Sequence, residues 1–313
     1  MKDVDLYFCS FPSSMCEMWL PFNKSIAFIS GHRYALGRCN LEARNKLNTR
    51  LKKMMLSSNP LHIFGALSKY DKEYMEYYLG SGPPSGLHTF RTYATGFGYL
   101  WREAFDPGPP LFFNRTEVLS VPRREQARLS NRTGTLPLNV IDLRSLYERY
   151  TGAQLQQHPG IVLWAYSVMS YKLIDFYALA VPLYVPSLKF YHAHRFGHDR
   201  TITGSKHYCK NHTLKSLLPK DPRSVHLLSP EDEDIEDEQY WLQFSDFYTF
   251  PHITYFDSMD DLGRKIARND PLAIRKGMIS ENKKRLADVK REMCDALVGI
   301  EVNRKIPEEF LQF

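Results

Sequence analysis

Apolar runs typical of β-strands alternate with segments of helical periodicity along most of this 313-residue chain. The strand-like runs are closed by Ser, Gly or Pro, and the segments between them carry apolar residues at spacings of three and four. Strands that alternate with helices predict parallel sheets with right-handed crossovers. We therefore expect an α/β protein with strands near 5–9, 25–29, 61–65, 161–166, 183–185 and 253–256.

The helices predicted between these strands carry recognisable end signals. A helix over 70–79 ends at Gly80, where a left-handed C-cap is expected. Ser258 is the expected N-cap of a later helix, with Asp261 at its third position as in a capping box. The last helix is expected to be the longest, since one apolar face runs through Leu286, Val289, Met293, Leu297 and Ile300.

The stretch from Gly80 to Pro110 is rich in Gly and Pro and marks the best domain boundary. It predicts a first domain over 1–105 and a second over 106–313. Ligands of such sheets usually bind beyond the carboxyl ends of the strands, so functional residues are expected there. Because the first portion is much shorter than the second, we expect an incomplete first domain whose leading part is absent from the chain.

The charge balance suits an anionic partner without marking a nucleic-acid-binding protein. There are 41 basic and 35 acidic residues, for a net charge of +6. Seven of the acids lie in the run 231–238. The rest of the chain therefore has 28 acidic and 41 basic residues, an excess of 13 basic residues. These are not gathered into the Lys/Arg blocks typical of nucleic-acid-binding arms, and no nucleic acid is expected as a partner.

Four Asn-X-Ser/Thr sequons, at Asn23, Asn114, Asn131 and Asn211, are N-glycosylation acceptors if the chain enters the secretory lumen. They favour a glycoprotein of the Golgi or endoplasmic reticulum. No apolar run is long enough to span a membrane, so attachment is expected only through a segment absent from the chain. The five scattered cysteines predict at most one or two disulfides.

The most informative stretch is 166–187, where a buried strand leads into a loop and helix and Val-Pro returns the chain to a strand. It resembles the donor-binding core of GT-B glycosyltransferases, including exostosin-like enzymes. Their second domain carries two acids separated by seven residues, ahead of a small-residue/Pro/strand segment. Here the same spacing falls on Ser167 and Asp175, with Ala180 at the usual glycine position and Pro182 at the proline.

The resemblance implies two Rossmann-like domains in a GT-B arrangement and a nucleotide diphosphate sugar as co-substrate. It also implies that Ser167, Ser170 and Asp175 bind the donor. A helix that starts at Ser170 offers amide groups and a positive dipole end to a diphosphate, and a carboxylate can accept both hydroxyls of a ribose. The chain departs from the family pattern at Ser167, which replaces an acid, and at Ala180, which replaces the glycine.

Other segments resemble parts of uncharacterised glycosyltransferase-like proteins. The segments 5–18, 24–34 and 70–80 resemble the later part of an acceptor-side domain. The segment 251–262 resembles the closing strand and helices. The resemblance therefore covers nearly the whole chain.

The loop 30–33 (Ser-Gly-His-Arg) follows a predicted strand, so it is expected to face the cleft between domains. His32 is the candidate general base for an acceptor hydroxyl, because imidazole titrates near neutral pH. Arg33 is a candidate ligand of a phosphate or an acidic sugar. Alternatively, His32 caps a turn and Arg33 pairs with a carboxylate. Glu17, which follows the first strand, is a second candidate base.

Histidine and cysteine side chains crowd into 192–212, and imidazole with thiolate is a zinc ligand set. Their spacing matches no closed structural site, and we predict no metal. The sequence favours a long basic loop over 192–220 in which Arg195 approaches a pyrophosphate or an anionic acceptor.

Asp232-Glu-Asp234 has the Asp-X-Asp pattern with which the other main glycosyltransferase fold holds a metal and a nucleotide. There the motif ends a strand, whereas here it lies in an acidic run without apolar support. We expect a solvated surface loop. The aromatic residues that follow it are expected in the core rather than against a sugar.

The sequence thus predicts transfer of a sugar from a nucleotide diphosphate sugar to a hydroxyl of a glycan or glycoprotein. The leaving diphosphate is neutralised by a helix N-terminus and basic groups, with no obligatory cofactor. The alternative is a catalytically inactive homologue that binds glycans or scaffolds a partner, which the replacement at Ser167 favours. A third reading is an α/β protein of unrelated activity that shares only the fold.

Overall fold

The computed structural model describes residues 4, 6–10, 13–22, 24–35, 38–56, 62–81, 87–89, 112–121, 140–194, 202–203, 209, 219–232 and 234–298. The chain divides into two compact units. The first comprises 1–91, 217–227 and 287–313, and the second 92–216 and 228–286. The first change of unit therefore falls near residue 91, ahead of the expected 105, and two later segments return to the first unit.

The first unit is built on a parallel sheet in the order β1-β2-β3-β4. Its strands are β1 (Leu6–Cys9), β2 (Ser25–Ser30), β3 (Ile63–Ala66) and β4 (His88–Thr89). A 3-10 helix (Ser13–Phe22) follows β1, and helices α1 (Leu41–Met55) and α2 (Lys69–Leu79) follow β2 and β3. The alternation in the sequence correctly predicts these parallel strands.

Strand β2 lies inside this sheet, and all six of its residues are buried. In its register with β3, Ala27 lies beside Ile63, and both belong to an apolar cluster with Ile29. Continuous apolar sequence is the signature of a strand covered on both faces. The polar loop that begins after Ser30 therefore marks the point where this buried strand ends.

The predicted helix over 70–79 is confirmed as α2. The Ser68 side chain is its N-cap and accepts a hydrogen bond from the Asp71 amide at 3.0 Å. Gly80 has the predicted positive φ, at 83°, but its ψ is extended at −173°, so it is not a left-handed helical cap. The positive φ is the reason for glycine at this position.

The second unit is built on a five-stranded parallel sheet in the order β6-β5-β7-β8-β9. Its strands are β5 (Val118–Ser120), β6 (Val140–Asp142), β7 (Ile161–Val162), β8 (Leu183–Pro186) and β9 (Thr254–Phe256). Its helices include α3 (Leu143–Leu146), α4 (Gly152–Gln156), α5 (Tyr171–Ala178), α6 (Leu188–His194), α7 (Ile235–Leu242), α8 (Asp246–Thr249) and α9 (Met259–Arg268). The parallel sheets confirm the α/β class, although β7 is shorter than the predicted 161–166.

The last helix, α10 (Pro271–Val298), has 28 residues and is the longest helix in the described part of the chain, as predicted. On the predicted apolar face Leu286 and Val289 are partly buried, Met293 is 46% exposed, and Ile300 lies outside the described residues. The buried side chains of this helix belong to Arg275, Met278, Asn282 and Arg285. Arg275 donates to the carbonyls of Ala180 and Gln156, and Asn282 donates to that of Tyr177, so polar side chains are buried because backbone acceptors meet them.

Among the helices that the structure describes, none combines the length and the apolar composition needed to cross a bilayer.

Candidate functional site

The strand order of the second sheet defines the edge at which a ligand is expected to bind. From β5 the chain moves to β6 on one side, and it then returns to the other side of β5 to form β7. The connection after β5 therefore leads toward one edge of the sheet, and the connection after β7 leads toward the other edge. In open parallel sheets this switch point opens a crevice beyond the carboxyl ends of the strands, where ligands bind.

Ser120 ends β5 at this switch point. The register sets it beside Val162 of β7 on one side and Asp142 of β6 on the other. Its side chain is 2% exposed, and its hydroxyl has no hydrogen-bond partner among the described residues. An unsatisfied buried hydroxyl is costly in a folded protein. Ser120 is therefore a polar group at the crevice whose hydrogen bond the described fold does not supply.

The connection from β7 to α5 carries the residues that the family resemblance implies. Ser167 and Ser170 are both buried. The Ser170 hydroxyl caps α5, because it accepts from the Leu173 amide at 3.2 Å and donates to the Tyr166 hydroxyl at 2.8 Å. The eight-residue helix α5, with its positive dipole end, thus begins nine residues after β7 ends.

Asp175 lies one turn further along α5 and is buried. Its charge acts on the phenol of Tyr150. Burial raises the pKa of Tyr150, the Arg144 guanidinium opposes this rise, and Asp175 and Tyr166 add to it. We refer to Tyr150, Tyr166, Ser170 and Asp175 as the hydroxyl cluster. The cluster joins one carboxylate to three hydroxyl groups next to the switch point.

Ala180 shows why a glycine suits this position. Its φ is 53°, in the left-handed region that favours glycine. The Ala180 amide donates to the Tyr177 carbonyl and the Val181 amide to that of Phe176, which is the Schellman pattern at the end of α5. Replacement of the glycine by Ala180 therefore affects how α5 ends, and it removes no side chain that could bind a ligand.

A cleft of about 560 Å³ opens between α6 and α7, which is within the usual size range of small-molecule sites. Its lining consists of Leu188, Lys189, His192, Ala193, Ile235 and Gln239. Helix α6 starts two residues after β8 ends, so the cleft lies beside a neighbouring strand end of the same sheet. The Nδ1 atom of His192 is 3.7 Å from a carboxylate oxygen of Glu238.

The loop after β2 in the first unit is organised around the carboxylate of Asp71, which is fully buried. This carboxylate accepts from the hydroxyls of Ser30 and Ser68, at 3.3 and 2.6 Å. It also accepts from the backbone amides of His32 and Arg33, at 3.2 and 2.5 Å. His32 and Arg33 both have positive φ, and Asp71 is what holds them in this strained conformation.

The two side chains of this loop differ in their surroundings. The Arg33 guanidinium is buried, donates to the Tyr70 hydroxyl at 2.8 Å and lies over the rings of Tyr70 and Tyr74. His32 is partly exposed. Burial lowers the pKa of His32, against the opposing charge of Asp71, so its imidazole is neutral at neutral pH. Burial raises the pKa of Asp71. His32 keeps the properties of a base, whereas Arg33 is held by the aromatic core.

Glu17, the second candidate base, is engaged in two ion pairs. Its carboxylate oxygens lie 2.6 Å from Arg38 and 2.8 Å from Arg50. It belongs to the 3-10 helix, which a disulfide between Cys9 and Cys16 ties to β1. Cys294 is a free thiol.

The remaining predicted site residues divide into described and undescribed positions. Asn114 is described and exposed, as a glycan acceptor requires. Asn23, Asn131, Asn211 and Arg195 lie outside the described residues.

The Asp232-Glu-Asp234 motif lies just ahead of a helix, with Asp232 partly buried and Asp234 exposed, and the acidic run from 235 to 238 is helical. Asp234 is the N-cap of α7, and three of the acids occupy its first turn. Acids are favoured there by the helix dipole. Asp237 and Glu238 are buried, and Glu238 accepts from the amide of Ile202 at 2.6 Å. The aromatic residues Trp241, Phe247 and Phe250 are buried, as predicted for the core.

Sequence reasoning missed Ser120, Tyr150 and Asp71. The signal for Asp71 was present, because Ser68 and Asp71 have the same capping-box spacing as Ser258 and Asp261. Nothing in the sequence near Ser120 or Tyr150 distinguishes them from other surface-like positions. Their role follows from strand order and register, which the sequence alone does not supply.

No protein-family profile matches the chain, and no curated protein shows a significant match to it.

Proposed function

We propose that this chain is a GT-B-type glycosyltransferase whose second unit binds a nucleotide diphosphate sugar at the carboxyl edge between β5 and β7. The observation that carries the proposal is the switch point itself. There the Ser120 hydroxyl at the end of β5 is buried without a hydrogen-bond partner among the described residues, and the connection after β7 leads to the N-terminus of α5. Crevices of this kind bind nucleotides in parallel α/β sheets. The resemblance of the segment 166–187 to donor-binding cores supports the same site.

The proposed division of labour follows from the chemistry of the groups. The leaving diphosphate gains charge as the glycosidic bond breaks, and the N-terminus of α5 stabilises that charge through its dipole and amides. The Ser120 and Ser167 hydroxyls donate to donor oxygens. Asp175, with the other groups of the hydroxyl cluster, accepts hydrogen bonds from the hydroxyls of a ribose. No metal is required for these roles.

In this proposal the acceptor is a hydroxyl of a glycan or glycoprotein, and His32 is the base that removes its proton. A base has to be unprotonated before the reaction, and burial lowers the pKa of His32 in the direction that this requires. Glu17 is the weaker candidate because Arg38 and Arg50 already occupy its carboxylate. The exposed sequon at Asn114 supports the secretory lumen as the compartment.

A second candidate function is nucleotide-sugar or glycan binding without transfer. Two observations favour it. Ser167 stands where the family pattern has a sugar-contacting acid, and the Arg33 guanidinium is held by Tyr70 and Tyr74 rather than directed at a phosphate. A protein of this kind would retain the donor site and lack turnover.

Isothermal calorimetry of the full chain with a panel of uridine and guanosine diphosphate sugars tests donor binding. We expect one donor to bind with 1:1 stoichiometry, and Asp175→Asn and Ser120→Ala to weaken it by roughly tenfold or more, as for loss of a buried hydrogen bond. Ser258→Ala is the matched control, since Ser258 caps α9 after the edge strand β9. Absence of binding by any donor would exclude the transferase and would leave only glycan binding from the second candidate.

Release of free nucleoside diphosphate from the bound donor, followed by phosphorus NMR, separates the two candidates. The enzyme hypothesis predicts release that is accelerated by an acceptor glycan and lost in His32→Asn. Binding that is complete but without release over the same period identifies the binding protein instead. If His32→Asn releases nucleotide at the wild-type rate, the assignment of the base is wrong.

A further inference from the structure

Glu73, Glu76 and His226 bring three potential metal-ligating atoms together in the first unit. One atom from each side chain lies within 4.8 Å of the other two. Glu73 and Glu76 are three residues apart on α2, so they occupy the same face of that helix. His226 comes from a segment about 150 residues later in the chain.

The segment that carries His226 is fixed to α2 and α1 by several polar contacts. The Asp221 amide donates to the Tyr77 carbonyl at 2.8 Å, and the Asp221 carboxylate lies 2.7 Å from the Lys52 ammonium. Arg223 donates to the Leu79 carbonyl at 3.1 Å and to Asp221. The position of the imidazole is therefore set by the surrounding fold.

His226 itself is anchored on both sides of its backbone. Its amide donates to the Ser224 hydroxyl at 3.3 Å, and its carbonyl accepts from the Lys220 ammonium at 2.8 Å. The residue is 2% exposed, and its Nε2 atom lies 2.9 Å from a carboxylate oxygen of Glu73. The imidazole and the Glu73 carboxylate are therefore held at a fixed separation by the fold.

The charges around the cluster are nearly balanced without a metal. Lys72 lies 3.3 Å from Glu76, and both Lys69 and Lys72 act on Glu73. Burial opposes ionisation of Glu73, but the hydrogen bond to His226 and the charges of His226, Lys72 and Lys69 together lower the pKa of Glu73. Both acidic side chains remain partly accessible, since those of Glu73 and Glu76 are 15% and 23% exposed. The site therefore has an accessible side from which a cation can enter.

We propose that Glu73, Glu76 and His226 form a binding site for a divalent first-row transition metal, with zinc as the preferred ion. One imidazole with two carboxylates is a ligand set that Zn²⁺ accepts, and three protein ligands leave a fourth position for water. Harder cations such as Ca²⁺ and Mg²⁺ prefer all-oxygen sites with more ligands. Metal binding replaces the hydrogen bond between His226 and Glu73, because the imidazole has to present an unprotonated nitrogen to the ion.

The cluster of Asp232, Asp234 and Asp237 has a similar spacing but carries no such proposal. It offers carboxylates only, and these occupy the start of an acidic helix, where their clustering follows from the helix dipole. It therefore supplies an internal control. The zinc proposal does not depend on the donor site, because all three of its ligands belong to the first unit.

Titration of the full chain with Co²⁺ and Zn²⁺ tests the proposal. Co²⁺ gives visible absorption bands whose intensity reports a low coordination number, and it gives a separate charge-transfer band if the free thiol of Cys294 is a ligand. We expect one equivalent of Co²⁺ to bind without the thiolate band and to be displaced by Zn²⁺. Glu73→Gln, Glu76→Gln and His226→Asn should each weaken binding by roughly tenfold or more, whereas Asp234→Asn should leave it unchanged.

A purely structural role for the three residues makes a different prediction. In that case His226→Asn lowers the thermal midpoint by the same amount with excess zinc and with a chelator, and Co²⁺ gives no bands. The metal proposal predicts that zinc raises the midpoint of the wild-type chain and of Asp234→Asn but not that of His226→Asn. Co²⁺ binding that is unchanged in His226→Asn would assign the ion to another site and overturn the proposal.

Discussion

Two loops that follow buried parallel strands use their polar residues in opposite ways. The loop after β2 is closed by the Asp71 carboxylate, which accepts four hydrogen bonds from within the first unit. The connection after β7 ends in the hydroxyl cluster, and Ser120 beside it has no hydrogen-bond partner among the described residues. Polar residues at a strand end therefore support binding where the fold leaves donors or acceptors unsatisfied.

The same contrast separates the charged groups of the two regions. Arg33 looked like a phosphate ligand in the sequence, yet its guanidinium stabilises the tyrosine-rich face of α2. Asp175 is also buried, but it lies beside the switch point, where its charge acts on Tyr150. In the first region the Asp71 carboxylate mainly stabilises the loop that carries His32, and the second region is the proposed donor site.

Asp71→Asn should have the largest effect on stability. The amide would turn an N–H₂ group toward hydroxyl and amide donors, so we expect a loss of about 3 kcal/mol in the free energy of unfolding. Asp261→Asn is the matched control because Asp261 has the same third position in α9, near the surface, and should cost less than about 1 kcal/mol. Urea denaturation measures the free energy of unfolding of both variants. Equal losses would show that Asp71 stabilises its loop no more than an ordinary capping-box acid does.

Ser170→Ala should have an intermediate effect on stability and a large one on binding. Loss of an N-cap costs about 1 kcal/mol, and Ser258→Ala should cost about the same because its hydroxyl also caps a helix. Only the first change touches the proposed donor site. If the two variants lose the same stability and only Ser170→Ala binds the donor more weakly, Ser170 belongs to the donor site. If the two variants bind the donor equally well, Ser170 only caps its helix.

His32 should make the first unit less stable as the pH falls. Its pKa in the folded state is lowered from 6.5 by burial, so the unfolded chain takes up a proton first. The contribution of His32 to the free energy of unfolding is therefore constant above pH 6.5. It decreases as the pH falls from 6.5 to the pKa of His32 in the folded state. His32→Asn, which tolerates the positive φ, should reduce the slope of unfolding free energy against pH. An unchanged slope would show that His32 does not titrate abnormally.

Glu17→Gln should have the smallest effect. The two arginines that pair with Glu17 are 37% and 45% exposed, so the expected loss is below about 1 kcal/mol and shrinks at high salt. Chemical denaturation at low and high ionic strength measures it. A loss of several kcal/mol that persists at high salt would show that Glu17, like Asp71, is essential for the stability of the first unit.

The α/β class and most element positions were predictable because they depend on local periodicity. Helix α2 and its cap at Ser68 follow from the apolar spacing and a capping residue. The buried face of α10 was not predictable in this way, since Arg275 and Arg285 are buried through backbone acceptors and aromatic rings that lie far away in the sequence. Periodicity identifies apolar faces and cannot reveal a polar face that is satisfied by distant partners.

The candidate site was predictable only in part for the same reason. Ser170 and Asp175 were identified from a segment that is continuous in the sequence. Ser120 and Tyr150 belong to other strands and loops and reach the site through the strand order β6-β5-β7. For Arg33 the sequence left open a ligand of an anion and an ion pair with a carboxylate, because nothing in the sequence shows that Tyr70 and Tyr74 lie against it.

Hydrogen exchange of the full chain, with and without uridine or guanosine diphosphate, tests the contrast between the two loops most directly. The account predicts that the nucleotide slows exchange of the amides at the end of β5 and over 163–173. It predicts no change over 31–35, where the amides of His32 and Arg33 are already bonded to Asp71. Slower exchange confined to 31–35, or no change in either region at saturating nucleotide, would contradict it.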